Sequence, residues 1–278
     1  MPVDQKQHIR ASVLMAVYNK PEVLDRTLRA LSRQSDDDFE IIICDDGSGE
    51  AIKQLLDDSA ALFPGRIRHV WQQDMGFRKC RILNKGLTQA RSDYIIVLDP
   101  DCIPHKHFIA AHLADRRSGR YLAGRRVMLG EKLSRYILGG RIRPEQLSNP
   151  FKLAWYMLAF PGNRHLGKGV YLPRFIRNIK ESGPSRLKGC NMSFWQSDIE
   201  AVNGFDESFE SPGGGEDTDL ERRFQAMGLK SKGIKNGAVC YHLYHKPLPK
   251  APGLKDQLAQ LSRTHPIKAS RGLKELQN

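Results

Sequence analysis

The first hundred residues alternate between two patterns. Continuous apolar runs of strand length occupy 11–18 (ASVLMAVY), 39–44 (FEIIIC) and 94–98 (YIIVL), and a weaker one covers 66–72. Between them apolar residues recur at helical spacing. Val23, Leu24, Leu28 and Leu31 share one face behind Pro21, and helices are predicted over 50–62 and 77–90. Strands that lack polar alternation are buried on both sides, and strands joined through helices lie parallel. The pattern predicts an α/β fold: a mostly parallel sheet with helices on both faces.

Past residue 101 the pattern loosens. A helix fits 105–117 and a strand 121–128, whereas 129–188 is rich in Gly, Pro and Arg and has no clear period. Within it, 133–138 (LSRYIL) and 151–160 (FKLAWYMLAF) read as short core helices. The second has another reading, because Trp155 and Tyr156 lie among aliphatics and are flanked by Arg143, Lys152 and Arg164. Such a segment suits contact with an anionic membrane surface. Strand character returns at 189–195, and a helix starts near 197. Gly213, Gly214 and Gly215 then feed a helix with Leu220, Phe224 and Met227 at helical spacing. A last strand covers 238–245 (AVCYHLYH), and the tail from 247 is rich in Lys and Pro before a helical pattern.

A chain of 278 residues suits one large α/β domain. The first ten residues are polar, so no signal peptide is expected. No apolar run approaches the roughly 20 residues of a membrane span. Five scattered cysteines without C-x-x-C spacing read as reduced core thiols, which indicates a cytoplasmic setting. The net charge of +13 is concentrated: between Arg116 and Lys188, seventeen Lys and Arg meet three acids, Glu131, Glu145 and Glu181. This block implies a polyanionic partner, with Arg125, Arg126, Arg141 and Arg143 expected to carry the contact. It lacks the interleaved aromatics of a stacking platform, so nucleic acid is not expected.

Ligands of parallel sheets bind outside the carboxyl ends of the strands. Three polar clusters fall there: Tyr18-Asn19, Asp45-Asp46 and Asp99-Pro100-Asp101. Pro100 disfavours the helical region for Asp99, and the spacing should send both carboxylates to one side. Two converging carboxylates are costly without a cation, and a hydrated divalent metal carrying a phosphorylated ligand suits them. Asp45 and Asp46 suit hydrogen bonds to a base and a ribose. Neither G-x-G-x-x-G after the first strand nor G-x-x-x-x-G-K-[ST] occurs, which excludes dinucleotide dehydrogenases and P-loop enzymes. Asp217 opens the helix after the glycines, where dipole and free amides favour the anion that a general base requires. Asp219 and Arg223 are spaced to pair at i, i+4.

These motifs carry a resemblance. V-Y-N-K after the first strand, C-D-D-G-S after the second and D-P-D at 99–101 are similar to the amino-terminal half of family 2 glycosyltransferases of the GT-A fold. Residues 76–86 (GFRKCRILNKG) resemble the segment that crosses the nucleotide site in relatives with a galactosyltransferase-like carboxyl-terminal motif, with Leu-Asn where many members have Arg-Asn. N-G-F-D-E-S-F at 203–209 and G-G-G-E-D-T-D-L-E-R-R at 213–223 resemble that motif itself. The resemblance covers roughly 11–115 and 188–245. It implies a nucleotide-sugar site of Tyr18, Asn19, Asp45, Asp46, Gly76, Phe77, Arg78, Arg81, Asn84 and Asp99. It further implies Mn²⁺ or Mg²⁺ on Asp101 with His242 or His245, Asp217 as base and Glu216 as acceptor-orienting group.

The expectation is a single GT-A domain. Residues 11–115 form its nucleotide-sugar half, 116–188 a basic acceptor- or membrane-facing insertion, 189–245 the catalytic half and 246–278 a tail. Its function would be inverting, metal-dependent transfer from a nucleoside diphosphate sugar, with UDP favoured by the family, to an anionic or lipid-linked glycan. Bacterial surface polysaccharide or lipopolysaccharide synthesis, with peripheral contact to the inner face of the cytoplasmic membrane, fits the basic block. The rival readings are a nucleotidyltransferase, which gives no role to G-G-G-E-D, and a non-catalytic polyanion binder.

Overall fold

The computed structural model describes residues 9–180, 184–213, 215–247, 252–264 and 266–276. The leader expectation for the first ten residues, Gly214 and the start of the tail therefore fall largely outside the described residues. The amino-terminal half runs β1 (Ala11–Val17), α1 (Pro21–Leu31), β2 (Phe39–Asp45), α2 (Glu50–Ser59), β3 (Ile67–Trp71), α3 (Lys79–Leu87) and β4 (Tyr94–Leu98). β3, β2, β1 and β4 are parallel neighbours in that order. Alternate residues of these strands supply two cores. Val13, Met15, Ile41 and Ile43 pack with Leu24 and Leu28 of α1 and Ile52 of α2. Leu14, Ile42 and Cys44 pack on the other face with Ile82, Leu83 and Leu87 of α3. Burial on both faces is why these strands read as unbroken apolar runs.

The second half completes the sheet in mixed fashion. β5 (Cys102–Pro104), α4 (Phe108–Asp115), β6 (Arg120–Ala123) and β7 (Arg125–Met128) precede α5 (Glu131–Leu138), α6 (Pro150–Ala159) and α7 (Arg174–Lys180). Then come β8 (Asn191–Trp195), α8 (Gln196–Ala201), α9 (Glu216–Ala226), β9 (Lys230–Gly233), β10 (Val239–His242) and α10 (Leu254–Thr264). β8 runs antiparallel beside β4, followed by β6 and β9, and β5, β10 and β7 form a separate small sheet.

The strand expected at 121–128 is broken, and its halves lie in different sheets. The break is Gly124: a Cβ there would fall 1.9 Å from Asn191 Oδ1. Asn191 Nδ2 donates to Arg125 O at 3.0 Å and Ala238 O at 2.8 Å, pinning the junction. β10 is also shorter than expected, ending at His242. α5 is a core helix as expected, with Leu133 and Ile137 buried, but α6 buries only Leu153. No helix among the described residues is long and apolar enough to cross a membrane.

Candidate active site

The site is assembled where β1, β2 and β4 end. After β1 the chain turns sharply, with Asn19 and Lys20 both at positive φ, 53° and 58°. The turn is fixed by Asn19 N donating to Ser48 Oγ at 2.7 Å and Gly49 N donating to Asn19 Oδ1 at 3.3 Å. β2 delivers Asp45 and Asp46, both buried. Asp45 accepts from Ser48 N at 2.8 Å and meets His69 Nε2 at 2.9 Å. Burial pushes its pKa up, but the His69 and Ser48 contacts outweigh that and hold it below the usual value. Asp46 accepts from Gln72 Nε2 at 2.6 Å and Arg78 N at 2.7 Å, and burial leaves its pKa raised. Tyr18 donates to Asp74 Oδ2 at 2.9 Å, and Gly76 N donates to Asp74 Oδ1 at 3.0 Å, so Asp74 ties Tyr18 to the turn at Gly76.

The D-P-D stretch is held from both sides. Thr27 Oγ1 of α1 donates to Pro100 O at 2.7 Å, and Leu243 N donates to Asp101 O at 2.9 Å. Its two carboxylates take different partners. Asp101 Oδ2 lies 3.4 Å from His242 Nε2 and 3.3 Å from His245 Nε2. Burial pushes Asp101 up, but the His245 hydrogen bond and the two imidazoles hold it below its ordinary value. The Asp101 hydrogen bond raises His245, whereas burial lowers His242. Asp99 Oδ1 instead meets Lys79 Nζ at 3.2 Å. Burial pushes Asp99 up to about 6 against the pull of Lys79.

Lys79 also lies 3.2 Å from Glu216 Oε1, so one ammonium joins the end of β4 to the start of α9. Burial lowers its pKa, but Asp99 and Glu216 together raise it well above the ordinary value. One residue on, Asp217 Oδ2 accepts from Gly189 N at 3.3 Å, beside the start of β8. Asp219 and Arg223 form the expected pair at 2.7 Å, fully buried, with Arg223 Nη1 donating to Val202 O and Gly204 O. That pair fixes the helix and leaves Glu216 and Asp217 at its open end.

A divalent cation is chemically compatible with this site. Ligand atoms of Asp101, Cys102 and His242 lie within 4.8 Å of one another. His242 Nδ1 is buried without a hydrogen-bond partner among the described residues. Burial holds the Cys102 thiol well above its ordinary pKa, so it stays neutral and is the weakest of these donors. A carboxylate with two imidazoles suits Mn²⁺ better than Mg²⁺, which prefers oxygen ligands.

One expected nucleotide contact is corrected, and two others have protein partners. Asn84 is fully buried, with Nδ2 donating to Phe205 O and Glu207 Oε1 and Oδ1 accepting from Phe205 N. Arg81 Nη1 is engaged by Glu207 Oε2 at 3.0 Å. Both brace the 205–207 segment, which takes Asn84 out of the cleft, whereas the Arg81 side chain stays 34% exposed. Arg78 turns its guanidinium to Gln73 O at 2.5 Å, and only its backbone N reaches Asp46. Arg125 is likewise spent on Gly124 O, Arg186 O and Ser185, which removes it from the free basic surface.

Sequence reasoning missed Lys79 although it sits within the quoted 76–86 segment. The signal was its register: four residues before buried Leu83 and seven before buried Gly86, it starts the inward face of α3. It also missed Trp71, whose Nε1 donates to Ser48 O at 3.3 Å and whose ring stays 53% exposed beside the Asp45–Ser48 loop.

Comparison with known proteins shows the family and the fold. The sequence profile of Glycosyl transferase family 2 matches residues 12–168, and that of the N-terminal domain of galactosyltransferase matches 176–246. Chondroitin synthase of Pasteurella multocida is 26% identical over 249 residues, covering 85% of this chain and 25% of the relative. The chain spans about a quarter to a third of the length of the first such relatives. Among solved structures, the UDP complex of S. aureus TarS matches 96% of this chain and 68% of its own at TM-score 0.60 and 14% identity. The mannosyltransferase PcManGT from Pyrobaculum calidifontis, in complex with GDP-Man and Mn²⁺, matches 91% of this chain and 68% of its own at TM-score 0.57 and 14% identity. With the first profile alone spanning more than half of the chain, this protein belongs to glycosyltransferase family 2 and is a glycosyltransferase of the GT-A fold.

Proposed function

We propose that this glycosyltransferase is inverting and metal-dependent, taking its sugar from a UDP-sugar and passing it to an anionic, lipid-linked glycan of a bacterial surface polysaccharide or lipopolysaccharide. The observation that carries the reading is the Lys79 bridge, which brings the D-P-D acids and the Glu216-Asp217 pair into one cleft. UDP is favoured because TarS, a structural neighbour, holds it. The anionic acceptor is favoured by the charge surplus of 116–188. Family membership sets the nucleotidyltransferase and the non-catalytic binder aside.

Asp45 and Asp46 would receive the donors of the base and ribose, with the exposed rings of Tyr18 and Trp71 flanking them. Asp99 would face the ribose and diphosphate. Asp101, His242 and His245 would hold Mn²⁺, which when bound supplies positive charge against the diphosphate as it leaves. Glu216 would orient the acceptor. Asp217, at the first turn of α9, would accept the proton of the attacking hydroxyl as it displaces the nucleotide in line at the anomeric carbon.

Calorimetry with UDP, GDP and dTDP, each with and without Mn²⁺, tests the donor assignment; Mn²⁺-dependent binding of UDP alone is expected. For the base, Asp217→Asn should lower sugar transfer by about 10²–10⁴-fold while UDP affinity is kept. Transfer within a few-fold of wild type would remove Asp217 from that role.

A further inference from the structure

Helix α6 turns its apolar side outward. Phe151 is 85% exposed, Trp155 66% and Leu158 83%, and their spacing at i, i+4 and i+7 places them in one stripe. Beside the helix a cleft of about 540 Å³ opens towards the 166–171 segment, lined by Leu153, Ala154, Met157, Leu166, Val170 and Tyr171. Leu166 and Val170 are themselves exposed. Single exposed apolar residues are ordinary, but a stripe continued by an apolar cleft marks a surface that meets something.

Charge selects the occupant. Between Glu145 and Glu181 the chain has no acid, and it carries Lys152, Arg164, Lys168, Arg174, Arg177 and Lys180. Arg177 is buried on Asp115, and Arg174 lies 3.5 Å from the same carboxylate. Lys152, Arg164 and Arg143 have no acidic partner among the described residues. Lys168 sits among Arg125, Lys235 and Lys188, and partial burial together with those charges lowers its pKa. A second copy of this face would bring like charges together. An anionic bilayer instead receives rings and aliphatic chains at the boundary of headgroups and acyl chains, and cations at its phosphates.

We propose that α6 and the 166–171 wall form the surface by which this protein docks on an anionic phospholipid bilayer, with Phe151, Trp155 and Leu158 entering the headgroup boundary. The placement is functional. Tyr241 lines the cleft, its single hydroxyl proton shared between Leu147 O and Gly169 O, while the next residue of β10, His242, faces Asp101. Successive residues of a strand point to opposite sides, so one strand separates the docking cleft from the candidate metal site. The inference deepens the reading of a lipid-linked acceptor and rests on it for its purpose.

The test is sedimentation of the intact protein with large unilamellar vesicles of phosphatidylcholine, with and without phosphatidylglycerol, at low salt. Binding to the phosphatidylglycerol vesicles is expected, at least about ten-fold weaker to phosphatidylcholine alone. The double variant Phe151→Ser, Leu158→Ser should weaken it by at least about ten-fold. Trp155 emission should be quenched by brominated lipid, and that quenching lost in Trp155→Tyr. An unchanged urea unfolding midpoint of the variants confirms the fold, and UDP calorimetry separates the two ideas, since docking without UDP binding would sink only the donor reading. Absence of binding to phosphatidylglycerol vesicles, or binding undiminished by the double variant, would overturn the proposal. So would a concentration-dependent dimer that the double variant abolishes.

Discussion

Lys79 stands where two acids would otherwise repel one another. Its ammonium is 3.2 Å from both Asp99 and Glu216, and its side chain is only 17% exposed. Removing it strands two half-buried carboxylates, which is costlier than the loss of the contacts themselves. Lys79→Met should therefore lower the stability read from urea unfolding by about 2 kcal/mol, discounted for residual exposure. It should also reduce sugar transfer more than Lys79→Arg does, because arginine keeps the charge. Equal loss in both variants would mean that side-chain shape, not charge, is what the cleft needs. The acids of this site were legible in the sequence, because carboxylates after apolar runs stand out. The partner that neutralises them was not, because a lysine at a helix start resembles any other until the fold shows which strand end lies opposite.

At the scale of elements, the junction of β6 and β7 decides how the two sheets meet. Gly124→Ala would drive a methyl group into the Asn191 amide, which in turn holds Arg125 O and Ala238 O. A loss of about 1–3 kcal/mol is expected from crowding of this kind, measured as a lower unfolding midpoint. An unchanged midpoint would show that Asn191 yields easily. The parallel strands β1, β2 and β4 were readable because burial on both faces leaves an unbroken apolar run. The split at Gly124 was not, since YLAGRRVM keeps strand character through a point fixed by a residue far along the chain. β9 escaped for the opposite reason: KSKG is polar and edge-like, and it pairs in parallel with β6 at the edge of the sheet. α6 carries enough apolar residues for a core helix, and only its placement shows that most of them face outward.

Across the whole molecule, Asp115 ties the basic insertion to the main sheet. It lies 2.7 Å from Arg177 of α7 and 3.1 Å from Lys232 of β9. Burial pushes its pKa up, but Arg177 and Lys232 outweigh that and hold it below the usual carboxylate value. A carboxyl depressed in the folded state contributes stability above its unfolded pKa and loses it as pH falls through the folded one. Asp115→Asn should thus cost about 3 kcal/mol at neutral pH and much less in strong acid, flattening the acid limb of the stability curve. A parallel downward shift at all pH values would indicate packing instead of charge.

The Lys79 bridge also bears on the order of events at the cleft. Any donor that draws Asp99 to itself changes how strongly the ammonium is held by Glu216, and any acceptor that engages Glu216 changes how it is held by Asp99. By thermodynamic linkage the two substrates must then alter each other's affinity by the same factor, whichever arrives first. A double titration of donor analogue against acceptor would read that factor directly, as a free energy shared between the two halves of the chain.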